Sequence, residues 1–181
     1  ELYRIPYEQK KLDDDFRIVK EDYMAENGGI IIPNPNAPTG ILERTETIEE
    51  IVAGNPGSIV IIDEAYVDFG GESCRKLIDK YENLLVVQTF SKSRARAGLR
   101  IGFAMVGEKL IRYLKDVKFS FNSYTMNMLS VELGTEAVGD EEYFRGTVRK
   151  IIATRERVKK ELADMGFTFP DSKGNFSFAS Q

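Results

Sequence analysis

Apolar residues along this chain fall first into short uninterrupted runs and later into helical spacing. Gly29-Ile-Ile-Ile-Pro33, Ser58-Ile-Val-Ile-Ile-Asp63 and Asn83-Leu-Leu-Val-Val-Gln-Thr89 carry almost no charge and are rich in aliphatic residues. Such runs predict buried strands, the second of them buried on both faces. Ile101 to Val106 predicts a fourth strand, antiparallel to the one ending at Thr89 because the connection is so brief. Leu2 to Tyr7 predicts a short strand with Pro6 near its end. Between these runs lie a short helix near Val19 to Ala25, a helix over Thr45 to Ala53 and another over Ser73 to Tyr81. Thr47 with Glu50 resembles a capping box, and Thr45 is the other candidate cap. After Gly107 the spacing becomes helical over Lys109 to Val117, Ser123 to Val138 and Asp140 to Met165. In the last of these, Phe144, Val148, Ile151, Ile152, Val158 and Leu162 recur at three and four residues. Gly166 follows as a C-cap. Phe167 to Phe169 and Asn175 to Ala179 read as strands opening a small second domain.

Strands alternating with helices predict an α/β fold, a three-layer arrangement with a mostly parallel sheet flanked by helices. Residues 1–138 read as part of a larger domain. Residues 139–181 read as a long bridging helix and the start of a smaller one.

Composition narrows the chemistry. The chain has 181 residues, 42% of them hydrophobic and 30% charged, with a net charge of −4. Without a run of basic residues, this balance argues against a nucleic-acid partner. No apolar stretch approaches the ~20 residues that cross a bilayer, which argues against a membrane partner. The single cysteine, Cys74, permits no internal disulfide, suits a reducing cytoplasm and reads as core packing. There is no histidine, which removes histidine-based triads and most zinc sites. Acid–base chemistry then falls to Lys, Asp, Glu or Tyr. The start, Glu1-Leu-Tyr-Arg4, lacks a signal-peptide pattern and an initiator Met, and is expected to be a fragment boundary.

The candidate chemistry gathers at predicted strand ends, where open α/β sheets place ligands. Lys92 follows the run ending at Thr89. Partial desolvation there disfavours an ammonium and frees an amine to attack a carbonyl. The alternative is a solvated surface lysine. Asp63 ends the preceding strand, where a carboxylate must be paired, hydrogen-bonded or used as a helix cap. Tyr66 lies three residues on, Ser91 adjoins Lys92, and Arg100 follows eight residues later. Pro35 and Pro38 stiffen the loop Asn34-Pro-Asn-Ala-Pro-Thr-Gly40.

Asp63-Glu-Ala-Tyr66, Ser91-Lys92, Ala97-Gly-Leu-Arg100 and the Asn34–Gly40 loop together resemble the central motifs of fold-type I pyridoxal-phosphate aminotransferases. The detailed pattern is most similar to the histidinol-phosphate aminotransferase family. Aromatic aminotransferases and an amino-acid phosphate decarboxylase share the motifs and stand as alternatives, as does a non-catalytic fragment. The resemblance implies an incomplete large domain of that fold, with pyridoxal 5'-phosphate as cofactor. It implies Lys92 as the residue bound to the cofactor aldehyde and as proton carrier. Asp63 would partner the pyridine nitrogen, Tyr66 the phenolic oxygen, and Ser91 and Arg100 the phosphate. In the family an Asn precedes Pro-Thr-Gly and also meets the phenolic oxygen. Here that position is Ala37, so Asn36, one residue away, is the candidate. Arg94 and Arg96 lie either near a substrate phosphate or on a solvated surface. The resemblance further implies amino transfer between histidinol phosphate and 2-oxoglutarate in histidine biosynthesis. A homodimer is expected for the full-length protein. Segments before the chain's start and the arginine for the substrate carboxylate are expected to lie outside this chain.

Overall fold

The computed structural model describes residues 3–181. The strands are β1 (Ile30–Pro33), β2 (Val60–Asp63), β3 (Leu84–Thr89) and β4 (Gly102–Val106). They form one four-stranded sheet in the order β1-β2-β3-β4. The first three are parallel, and β4 runs antiparallel to β3 as the short connection requires. Ile30 lies opposite Val60 and Val60 opposite Leu84, so β1 and β2 end level while β3 continues to Thr89. This α/β architecture, a mostly parallel sheet with helices, is the one the alternation of elements predicts.

Helix α1 (Thr45–Gly54) covers one face of the sheet. Its Ile48, Ile51 and Val52 share a helical stripe and are fully buried. They pack against Ile30, Ile32, Val60, Ile62, Leu84 and Val86, with Cys74 and Leu77 completing the core. Each such aliphatic side chain stabilises the fold by about 1.5–3 kcal/mol. β2, expected to be buried on both faces, instead alternates, with Val60 and Ile62 buried and Ile61 only half-buried. Ile31 points away from α1 and is 69% exposed, so β1 alternates with the two-residue period of a strand.

Other local expectations are corrected. Leu2 lies outside the described residues, and 3–7 form no strand. Val19 to Ala25 contains a one-turn 3-10 helix, Lys20–Tyr23. Ser73 to Tyr81 is likewise not an α-helix but a 3-10 turn, Cys74–Leu77, capped by the Ser73 hydroxyl. Neither Thr45 nor Thr47 caps α1: Arg44 occupies the N-cap without a side-chain bond, and Glu50 pairs with Lys20 instead.

Three further helices follow: α2 (Glu108–Phe121), α3 (Met128–Gly139) and α4 (Glu141–Asp164). Asn127 caps α3 by accepting the Ser130 N–H at 2.9 Å, and Asp140 caps α4 through the Tyr143 N–H at 3.0 Å. Gly166 takes φ +86° just beyond α4, the conformation a C-cap glycine supplies without strain. The two strands expected near the end meet only in a single antiparallel bridge, Thr168 to Ser180. Among the described residues, no helix is long and apolar enough to cross a membrane.

The final segment folds back onto the Asn34–Gly40 loop. The Lys173 N–H donates to the Gly40 carbonyl at 2.7 Å. Gly40 has φ +76°, and a Cβ there would lie 2.1 Å from Ser172 Oγ. Both the turn and the close approach therefore require glycine. Asp171 anchors the same segment to α4, accepting from Lys159 at 2.6 Å and pairing with Lys173 at 2.9 Å. The hydrogen bond from Lys159, then that from Lys173, hold its carboxyl down at about 2.

Two outcomes follow. Gly40→Ala should lower unfolding stability by about 1–3 kcal/mol, read from urea denaturation. The carboxyl of Asp171 titrates lower in the folded state than its ordinary 3.8, so its contribution is present above about pH 4 and lost as pH falls through about 2. The side chain is 65% exposed, which keeps the effect below about 1 kcal/mol. The melting temperatures of wild type and Asp171→Asn should differ at pH 5–6 and converge as the pH approaches ~2.

Candidate active site

The site is built where β2 and β3 end side by side. Asp63 is the last residue of β2, opposite Pro33 on one side and Val87 on the other. Its Oδ1 accepts the Ala65 N–H at 3.0 Å, bending the chain out of the sheet. Asp63 thus caps a turn rather than a helix, and Oδ2 takes no hydrogen bond among the described residues.

The next residue, Glu64, is 2% exposed. Its backbone N–H donates to the Val87 carbonyl at 2.9 Å. Its Oε1 accepts the Cys74 N–H at 2.6 Å and its Oε2 accepts the Gln88 amide at 2.8 Å. A buried carboxylate is tolerated because these donors replace water. The same carboxylate acts on Cys74, whose thiol is pushed up to about 12, first by burial and then by Glu64. Cys74 belongs to the core and is not a nucleophile.

Tyr66 emerges from the turn and is followed by the 3-10 turn Val67–Phe69. Its ring meets Phe176 edge to face, with centroids 5.0 Å apart and planes at 89°. The Lys92 ammonium lies 5.1 Å from the centroid of the same ring. The structure therefore brings Lys92, Tyr66 and the end of β2 to one edge of the sheet. Ser91 sits at the root of this loop, its Oγ 3.0 Å from Thr89 Oγ1. Its N–H donates to the same Thr89 oxygen at 3.1 Å.

Two expected residues are differently engaged. Arg100 has φ +54° and donates to the Ala97 carbonyl of its own turn at 2.9 Å. The Asn36 Oδ1 accepts from the Thr39 hydroxyl at 2.9 Å, so the side chain closes its own loop. Asn34, not Asn36, is the buried asparagine of that loop, exchanging hydrogen bonds with the backbone of Glu43.

The loop between β3 and β4 is held at several points. The Phe90 N–H donates to the Ile101 carbonyl at 3.0 Å, closing its base. Ser93 is 2% exposed and donates its hydroxyl to Asp68, tying the residue after Lys92 to the turn after Tyr66. Arg94 is half-buried rather than fully solvated. It donates to the Ala137 carbonyl at 2.7 Å and stacks 4.1 Å from the Phe144 ring centroid, docking α3 and α4 against the loop. Arg96 donates to the Ala95 carbonyl at 3.4 Å. Reading the sequence missed Glu64, Ser93, Asp68 and Phe176. Only the placement of Glu64 after an apolar strand hinted at burial. Two clefts, of about 500 and 410 Å³, both include Arg17 and Leu42, and neither is lined by Lys92, Asp63 or Tyr66.

The family model for aminotransferase class I and II matches residues 1–180, and the chain belongs to that family. A histidinol-phosphate aminotransferase from Lactococcus lactis subsp. cremoris is 54% identical over 178 residues, covering 98% of this chain and 50% of the relative. The crystal structure of the histidinol-phosphate aminotransferase from Clostridium acetobutylicum matches with a TM-score of 0.84 and 26% identity, over 93% of this chain and 53% of that one. That of the Sinorhizobium meliloti enzyme, in complex with pyridoxal-5'-phosphate, shares the fold at a TM-score of 0.74 and 22% identity, over 83% of this chain and 41% of that one. The chain spans about half the length of the curated relatives it matches.

The tie between Ser93 and Asp68 should act locally. Ser93→Ala is expected to cost about 1 kcal/mol and to speed hydrogen exchange of amides 91–96 while β2 and β3 keep their protection. Unchanged exchange in that loop would show that the bond does not hold it.

Proposed function

We propose that this chain carries the central catalytic residues of a pyridoxal-phosphate-dependent aminotransferase acting on histidinol phosphate and 2-oxoglutarate in histidine biosynthesis. One observation carries the reading: the Lys92 amine faces the Tyr66 ring at 5.1 Å, beside the end of β2 that bears Asp63. High identity to histidinol-phosphate aminotransferases supports the substrate class. The donor set fits the cofactor: an amine for an aldehyde, a carboxylate oxygen for a pyridinium N–H, and a hydroxyl and a guanidinium for a phosphate.

Bound pyridoxal phosphate supplies an aldehyde and an electron-withdrawing ring. Lys92 would hold the aldehyde carbon and carry a proton at Nζ. Asp63 Oδ2 would accept from the pyridine nitrogen and favour its protonated form. The Tyr66 hydroxyl would donate to the phenolic oxygen, and Asn36 would reach the same oxygen only by leaving Thr39. Ser91 and Arg100 would bind the phosphate, the arginine by leaving its Ala97 carbonyl. Residues 1–138 then form part of the cofactor-binding domain, and 139–181 a bridging helix and the start of a smaller domain. The full-length protein is read as a cytoplasmic homodimer.

Incubation with pyridoxal phosphate followed by borohydride should leave a pyridoxyl group on Lys92, found by peptide mapping. Lys92→Arg should abolish that label. A label on another lysine of the folded protein, or none, would overturn the assignment.

A further inference from the structure

The site described above accounts for Lys92 and Tyr66 but leaves a buried cation elsewhere unexplained. Arg155 lies on α4, amid a strongly charged stretch, yet its side chain is only 6% exposed. Its Nη1 donates to the Phe69 carbonyl and to the Gly174 carbonyl, both at 2.8 Å. Its Nε donates to Glu156 at 2.8 Å. Burying a guanidinium is costly unless its N–H groups find partners, and these bonds occupy three of its five.

The two carbonyls belong to the two segments that carry the Tyr66–Phe176 pair. Phe69 closes the turn after Tyr66, its N–H donating to the Tyr66 carbonyl at 3.1 Å. Gly174 lies two residues before Phe176, and the Phe176 carbonyl is held by Ser172 Oγ at 2.7 Å. The path from Tyr66 through Phe69, Arg155, Gly174 and Phe176 back to the Tyr66 ring is a closed circuit of contacts. Arg155 is the member that spans from one segment to the other. Both carbonyls are taken by the one nitrogen Nη1, while Nε in the same rigid plane takes Glu156, so the guanidinium is held from two sides.

We propose that Arg155 is a positioning residue for the active site, fixing the Tyr66 ring toward Lys92 by stapling the Tyr66–Phe69 turn to the Phe176 segment. This rests on the reading of Lys92 and Tyr66 as site residues. It adds a control point on α4 that touches neither. The consequence is local: without the staple, Phe176 no longer buttresses Tyr66, and the ring no longer holds its face to the Lys92 ammonium.

The test is competitive acetylation of the lysines in the protein without added cofactor, read peptide by peptide by mass spectrometry. In Arg155→Gln and in Phe176→Leu, Lys92 should acetylate roughly two- to fivefold faster relative to the other lysines, because the Tyr66 ring no longer lies against its amine. A role confined to global stability leaves that ratio unmoved. An unchanged Lys92 ratio in folded Arg155→Gln would overturn the proposal. Should circular dichroism show Arg155→Gln unfolded, Phe176→Leu decides alone, and an unchanged ratio there overturns it equally. Because no cofactor is used, failure here is separate from failure of the borohydride label on wild-type Lys92, which concerns the catalytic assignment.

Discussion

The parallel pairing of β2 with β3 and the carboxylate of Glu64 that crosses it fix everything at the site. Parallel strands bring their carboxyl ends to the same edge, and here Asp63 stands opposite Val87. Glu64 then fastens the end of β2 to β3 through Gln88 and to the 3-10 turn Cys74–Leu77 through the Cys74 N–H. With water excluded, a carboxylate without those donors costs several times what each bond contributes. The chain after Asp63 therefore leaves the sheet in one direction. That direction delivers Tyr66 to the space above β3, where Lys92 emerges.

Around this anchor the remaining contacts refine position. β4 returns antiparallel and closes the base of the Lys92 loop. Ser93 fastens the loop to Asp68, Arg94 docks it against α3 and α4, and Arg155 joins the turn after Tyr66 to the last segment. These ties come from parts of the chain far apart in sequence, and all are polar or aromatic. The apolar core under α1 stabilises the sheet. The polar ties determine which side chains face one another at its edge.

How much of this could be read beforehand depends on whether the cause was local. The four main strands, the antiparallel return of β4 and the long α4 were legible, because each follows from a run, a connection length or a helical period. Lys92, Asp63 and Tyr66 were legible as neighbours because strand ends in a parallel sheet coincide. The expected helix from Ser73 was not legible as a 3-10 turn, since Glu64 captures the Cys74 N–H from ten residues away. The bond that Asn36 accepts from the Thr39 hydroxyl was not legible, although its partner lies within the same loop. Arg155 was hidden in a charged stretch whose period says which face is apolar but not which cation is buried. The isoleucine run of β1 likewise does not reveal that only one face is covered.

The central claim is that the Glu64 carboxylate couples the two strand ends, and a double-mutant cycle between Glu64→Ala and Gln88→Ala tests it most directly. Unfolding in urea, measured for wild type, both single variants and the double variant, gives the coupling energy. A favourable coupling of about 1–3 kcal/mol is expected for a partly buried bond to a carboxylate. Additive losses, with a coupling near zero, would contradict it and leave the alignment of Asp63, Tyr66 and Lys92 without its anchor.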